Sequence, residues 1–265
     1  MQRNRIIRKV LQDPTTVSSD SNIHRRHNTR TFTRSLEVKP VTHVKKSNVN
    51  IVNAESKPDP KVVYSTVPRK FEGETIYIIG GGPSLKNFDF RRLSGCKTIA
   101  INKSLFFHSQ ADAVYWTDTR FYTWYKNDID NYKGLKFALK PGSQYTSDIN
   151  ILKKGKPYGI EEDPQTLAHG FNSGYAAINL AYHLGAKRII LLGFDMGNDG
   201  KFTHFHDGYP TRATGDRMYI DKFLPGFKQL KEELDNFNIT ILNASPYSKL
   251  TTFPKITIEQ ALSFR

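Results

Sequence analysis

The loop 198–210 gathers His204, His206, Asp207 and Tyr209 within a few residues. An imidazole titrates close to neutrality, so a histidine in such a loop suits removal of a proton from a substrate hydroxyl. The same His-x-His pair, with Asp195, Asp199 or Asp207 nearby, has the donors for a metal. No complete ligand spacing accompanies it, and no metal is expected. Ordinary loop histidines are the remaining alternative, and His204 and His206 stand as equal candidates for a catalytic base. Asp195 ends an apolar run and has no simple local role as a cap, which marks it as catalytic or as an organiser of its loop.

The second feature is the run Gly80, Gly81, Gly82, Pro83, Ser84, Leu85. Consecutive glycines allow close backbone approach, and a turn of this kind can aim N–H groups at a phosphate, with the Ser84 hydroxyl beside them. A purely structural tight turn is the alternative. Leu85 stands where a dinucleotide fingerprint needs its third glycine, Asn102 stands about 20 residues on where that fingerprint places an acid, and no lysine follows the glycines as in a P-loop.

These residues need a frame that brings them together. Apolar runs at 74–79, 97–101, 112–117, 135–139, 188–193 and 239–243 read as strands. Helical patterns fall at 173–184, with Ser173 as a cap and Gly185 as a stop, and at 217–236, where Pro225 implies a kink or a fresh start. Strands alternating with helices call for a single Rossmann-like α/β domain, a mostly parallel sheet with helices on both faces. Ligands of such sheets sit beyond the C-terminal strand ends, which directs attention to the loops after 79, 101, 117, 193 and 243. Asn102 faces that rim as a reader of base or ribose, or as a helix cap. Asp118 is a ribose contact or a cap. Asn172, Ser173 and Gly174 open a helix as a second anion site, or cap it.

The 265 residues carry a formal charge of +14, unevenly spread: residues 1–70 hold 15 Lys or Arg against 5 Asp or Glu. Residues 1–73 read as an extended basic arm and 74–265 as the nucleotide-binding domain. The arm is either a solvated tail or a tether to DNA or a virion protein. Cys96 is the only cysteine, so no intramolecular disulfide can form, which fits a reducing cytoplasmic setting. No apolar run approaches the roughly 18 residues of a membrane span, and neither a secretory signal nor an anchor is read.

The blocks IYIIGGGPSLKNFDFRRL (76–93), NKSLFF (102–107), NSGYAAINLAYHLGAKRIILLGFDM (172–196) and NASPYSKL (243–250) resemble, in order, those of glycosyltransferase family 42, the bacterial sialyltransferases. The resemblance implies a nucleotide-sugar donor, CMP- or UDP-linked, with no tightly bound cofactor and no required metal. It implies nucleotide contacts from Gly81, Gly82, Ser84, Asn102, Ser173 and Gly174, and His204 or His206 as base toward an acceptor hydroxyl. Gly81 replaces the asparagine of that family's glycine turn. The GlyProSerLeu turn also resembles the MptE-like pterin diphosphokinases, which implies ATP-dependent diphosphate transfer as an alternative. The short blocks and the HisPheHis loop are most similar to phage-encoded "norphogenetic" proteins, which implies host cytoplasm or virion, a modified base in DNA as acceptor, or a scaffold role without catalysis.

Overall fold

The computed structural model describes residues 62–197, 204–207, 209–210 and 215–265. Residues 1–61 of the expected arm, and Asp199, lie outside the described residues. All six expected apolar runs form strands: β1 (Thr75–Ile79), β2 (Lys97–Ile101), β3 (Ala113–Trp116), β4 (Leu135–Ala138), and later β8 (Arg188–Leu192) and β9 (Thr240–Asn243). Between them lie β5 (Ile149–Ile151), β6 (Lys153–Lys154) and β7 (Thr166–Leu167), which the pattern did not reveal. Seven strands make one parallel sheet in the order β5-β4-β3-β2-β1-β8-β9, and β6 and β7 pair separately. The chain therefore winds outward from β1 in one direction and returns as β8 on its other side. That reversal opens a crevice at the C-terminal ends of β1 and β8.

A parallel sheet must be covered on both faces, and the alternation of its strands shows that it is. Ile76, Ile78, Ile99, Tyr115, Ile189 and Leu191 pack with Ala177, Leu180, Phe227 and Leu230 from α3 (Ser173–His183) and α5 (Leu224–Asp235). On the opposite face Val114 and Trp116 meet Phe121 and Ile129 from α1 (Thr119–Trp124) and α2 (Lys126–Asn131). There, Tyr77 and Ile190 pack with Leu85, Leu93 and Ala261, the last from α6 (Ile258–Leu262). The expected single Rossmann-like α/β architecture with helices on both faces is what forms.

The packed domain takes in residues before 74. Val67 and Phe71 are buried in the α3 face of the core, and the N–H groups of Ser65, Val67 and Phe71 donate to Ile151, Pro164 and Leu184. The helical pattern at 217–236 resolves into α4 (Asp216–Met218), a π-helical turn (Tyr219–Phe223) and α5, with Pro225 in the first turn of α5. Phe223 and Leu224 keep right-handed helical backbone across this junction, so the helix runs on from the π turn into α5 and does not start afresh at Pro225. In α3 the cap is Asn172 and not Ser173: its side chain accepts from Tyr175 N at 2.8 Å, and Ser173 is the first helical residue.

Candidate active site at the sheet reversal

A cavity of about 710 Å³ fills the crevice. Its wall includes Gly80, Gly81, Gly82, Asn102, Asp118, Asn172, Ser173, Gly174, Asp195 and His204. Segments far apart in sequence thus meet because each follows the C-terminal end of a strand or opens α3. The loop after β9 does not contribute. Asn243 is buried, its side chain accepting from Ser245 N at 3.0 Å and donating to Leu250 O at 3.4 Å, so it shapes the chain and not the cavity.

The glycine turn is tied inward. Gly80 N donates to Leu192 O and Gly82 N to Gly193 O, both at 2.8 Å, and Ser104 Oγ donates to Gly80 O at 2.8 Å. Asp195 accepts from Ser84 N at 3.2 Å and from Ser84 Oγ at 2.8 Å. A Cβ on Gly82 would lie 1.9 Å from Asp195 Oδ2 and 2.6 Å from Gly193 O. Glycine is required at 82 so that this carboxylate can reach over the turn. Asp195 is therefore an organiser of the loop, and Ser84 stands behind the wall as its partner.

Above Gly81 sits the histidine loop. Phe205 N donates to Gly81 O at 3.0 Å, and a Cβ on Gly81 would lie 2.9 Å from His204 Cδ2. The His204 ring occupies the space that a side chain at 81 would need. Phe205 anchors the loop among Phe90 and Phe107, with ring centroids 5.5 and 4.8 Å away. His204 and His206 stack at 4.8 Å, and Tyr209 stands at a right angle to both. Burial pushes the Tyr209 hydroxyl above the ordinary phenol range, with the neighbouring Lys103 backbone and Asn102 side chain opposing that rise. Buried Lys103 pairs with Asp207 and places its ammonium 5.9 Å from the Tyr209 ring. Burial first, then the Lys103 charge, holds His204 below the ordinary imidazole range. His206 is pushed down to about 4 by burial, with His204 and Lys103 adding to it. Both rings are neutral near pH 7. His204 lines the cavity, whereas His206 lies behind it, so the structure separates two histidines that the sequence left equal.

The third wall is the start of α3. Asn172 caps the helix and donates from Nδ2 to Gly170 O at 2.8 Å. Ser173 and Gly174 begin the helix, where N–H groups have no acceptor within it and the positive end of the macrodipole lies. Ser173 Oγ donates to Thr117 Oγ1 at 3.0 Å, and Thr117 is 3.1 Å from the Tyr115 hydroxyl. Deeper in α3, Asn179 Oδ1 accepts from Glu161 N and Ala168 N, both at 2.9 Å, which fixes the strap leading into this turn.

Asp118 caps α1 and is held in a bidentate pair by Arg120, which keeps its carboxyl below the usual range. Lys140, exposed just beyond β4, brings a cation to the cavity. Phe171, Tyr219 and Phe223 give it an aromatic border. Sequence reasoning missed Lys140, Lys103 and Phe171. The rule that found the other loops points to Lys140 as well once it is applied to the end of β4. Asn102, Phe171 and Met196 have φ of 52°, 58° and 52° and all line the cavity, which concentrates strained backbone at this place. Among the described residues, no group of three or more His, Cys, Asp or Glu is arranged to hold a metal ion, and no helix is long and apolar enough to cross a membrane.

No family model and no curated protein matches the sequence. Among solved structures, the chain is similar to the sialyltransferase CstII from Campylobacter jejuni in complex with a substrate analogue, cytidine-5'-monophosphate. That similarity has 17% identity and a TM-score of 0.44, over 70% of this chain and 86% of that one. It is similar also to the sialyltransferase CST-II in complex with trisaccharide acceptor and CMP, at 18% identity and a TM-score of 0.45 over 69% and 86%. The apo form of an alpha-2,3-sialyltransferase from Campylobacter jejuni is similar at 18% identity and a TM-score of 0.40, over 70% and 80%. Such distant likeness does not extend to chemistry, which has to come from the cavity itself.

Proposed function

We propose that this protein is a nucleotide-sugar-dependent glycosyltransferase in which His204 is the general base. One observation carries the reading: a neutral imidazole stands on the cavity wall at the sheet reversal, in a cavity that also holds the N-terminus of α3 and the Lys140 cation. The α3 amides of Ser173 and Gly174, with Lys140, hold the donor's phosphate. His204 takes the proton of the acceptor hydroxyl while that oxygen attacks the anomeric carbon. The bond from the anomeric carbon to the phosphate oxygen breaks, and the nucleotide leaves with the electron pair on an oxygen that the same amides and cation stabilise. His206 and Tyr209 position the His204 ring.

A screen of CMP- and UDP-sugars with simple glycan acceptors tests this. Turnover is expected with at least one donor, and His204→Ala is expected to lower kcat by about 10²- to 10⁴-fold while leaving nucleotide affinity within a few-fold. Failure of every nucleotide sugar to bind, or full turnover by His204→Ala, overturns it.

A further inference from the structure

Phe171 combines three properties seldom found together in a large apolar residue. It is 47% exposed, its φ is +58°, and it lines the cavity. Left-handed backbone is unfavourable for a bulky L-residue, so the surrounding contacts must impose it. They are all present. Gly170 precedes it at φ +48°, where a Cβ would lie 2.0 Å from the Tyr175 ring, so only glycine fits. Phe171 N donates to His169 Nδ1 at 3.1 Å, and the Asn172 side chain secures Gly170 O. His169 and Tyr158 meet the Phe171 ring at steep angles, with centroids 4.8 and 5.7 Å away. The turn fixes the ring, the Lys222 ammonium stands 5.9 Å from its centroid, and the residue is still 47% exposed.

At that exposure Phe171 is not a core residue. What the arrangement does provide is a rigid aromatic surface two residues before the Ser173 amide and three before that of Gly174. Two residues of chain span at most about 7 Å, comparable to the separation of base and 5′-phosphate in a nucleotide. Every nucleobase has a π-face, so stacking on such a ring supplies affinity for nucleotides whatever their base.

We infer that Phe171 is the platform on which the nucleobase of the donor stacks, an assignment that rests on the nucleotide-donor reading above. Calorimetric titration of the full chain with CMP, UMP, AMP and ribose 5-phosphate tests it. In Phe171→Ala the three nucleotides are expected to bind about five- to a hundredfold more weakly, with ribose 5-phosphate unchanged. Phe171→Trp is expected to restore nucleotide binding and to add an indole emission that is quenched by nucleotides and not by ribose 5-phosphate. Equal nucleotide affinity in wild type and Phe171→Ala, an equal loss for ribose 5-phosphate, or an added emission in Phe171→Trp that nucleotides leave unquenched overturns the assignment while leaving the donor reading in place. A wild-type protein that binds none of the nucleotides overturns the donor reading itself, and this inference with it.

Discussion

On the glycine-turn wall, the space that glycine leaves is filled by the protein. The Asp195 carboxylate lies where a side chain on Gly82 would go, and His204 lies where one on Gly81 would go. On the α3 wall the arrangement is reversed, with the opening amides of Ser173 and Gly174 and the half-exposed ring of Phe171 left toward the cavity. A glycine lets anything approach the backbone closely, a ligand or another part of the chain. The first wall is therefore a mount for the histidine loop, and the second offers itself to a ligand.

The harshest way to break this contrast is Gly82→Ala. The new Cβ meets a carboxylate at 1.9 Å and backbone at 2.6 Å, and the expected loss is about 3 kcal/mol or more in urea denaturation. A variant as stable as wild type would mean that the first wall is open. Next in size is a pH effect on the same wall. The His206 pKa lies near 4 in the fold and near 6.5 when unfolded. Its neutral form is thus favoured by folding, and the stability it contributes is complete above pH 6.5 and lost as pH falls toward 4. Relative to His206→Gln, wild type is expected to lose about 3 kcal/mol between pH 7 and 4. A constant difference across that range would contradict the burial assigned to the ring.

On the ligand-facing wall smaller changes should suffice. Asn172→Ala removes the α3 cap and is expected to cost about 1 kcal/mol in thermal or urea unfolding, together with weaker nucleotide binding. Binding that is unaffected would uncouple the turn from the site. Lys140→Met should leave stability unchanged and weaken nucleotide binding only a few-fold. That deficit is expected to shrink as salt rises, because Lys140 is exposed and screened. Titrations at low and high ionic strength decide it.

The legible and illegible parts of the molecule divide along this same line. The long apolar strands announce themselves by residue type, and their C-terminal ends led directly to Gly80, Asn102, Asp118 and Asp195. Short elements left too little pattern: β5 has three residues, and α6 has five, although its capping box of Thr257 and Gln260 was a usable signal. The aromatic run from Phe121 to Tyr125 hides α1 because its residues favour strands as readily as helices. Within the site, the types and spacing of the glycines were visible, but what they make room for was not. The partners come from other strand ends: Asp195 lies 111 residues beyond Ser84. Phe171 carried no signal at all, since exposure and a left-handed φ belong to the folded turn.

β1 and β8 are neighbours in the sheet, with Thr75 in register with Arg188, 113 residues further along the chain. The glycine turn follows one of these strands and Asp195 the other, so the mount for His204 cannot exist before they pair. Contacts between such distant segments form late, after local helices and turns. On the nucleotide-donor reading proposed above, a nucleotide added during refolding would find the cavity complete only when the two central strands have joined, and the onset of binding would time that event.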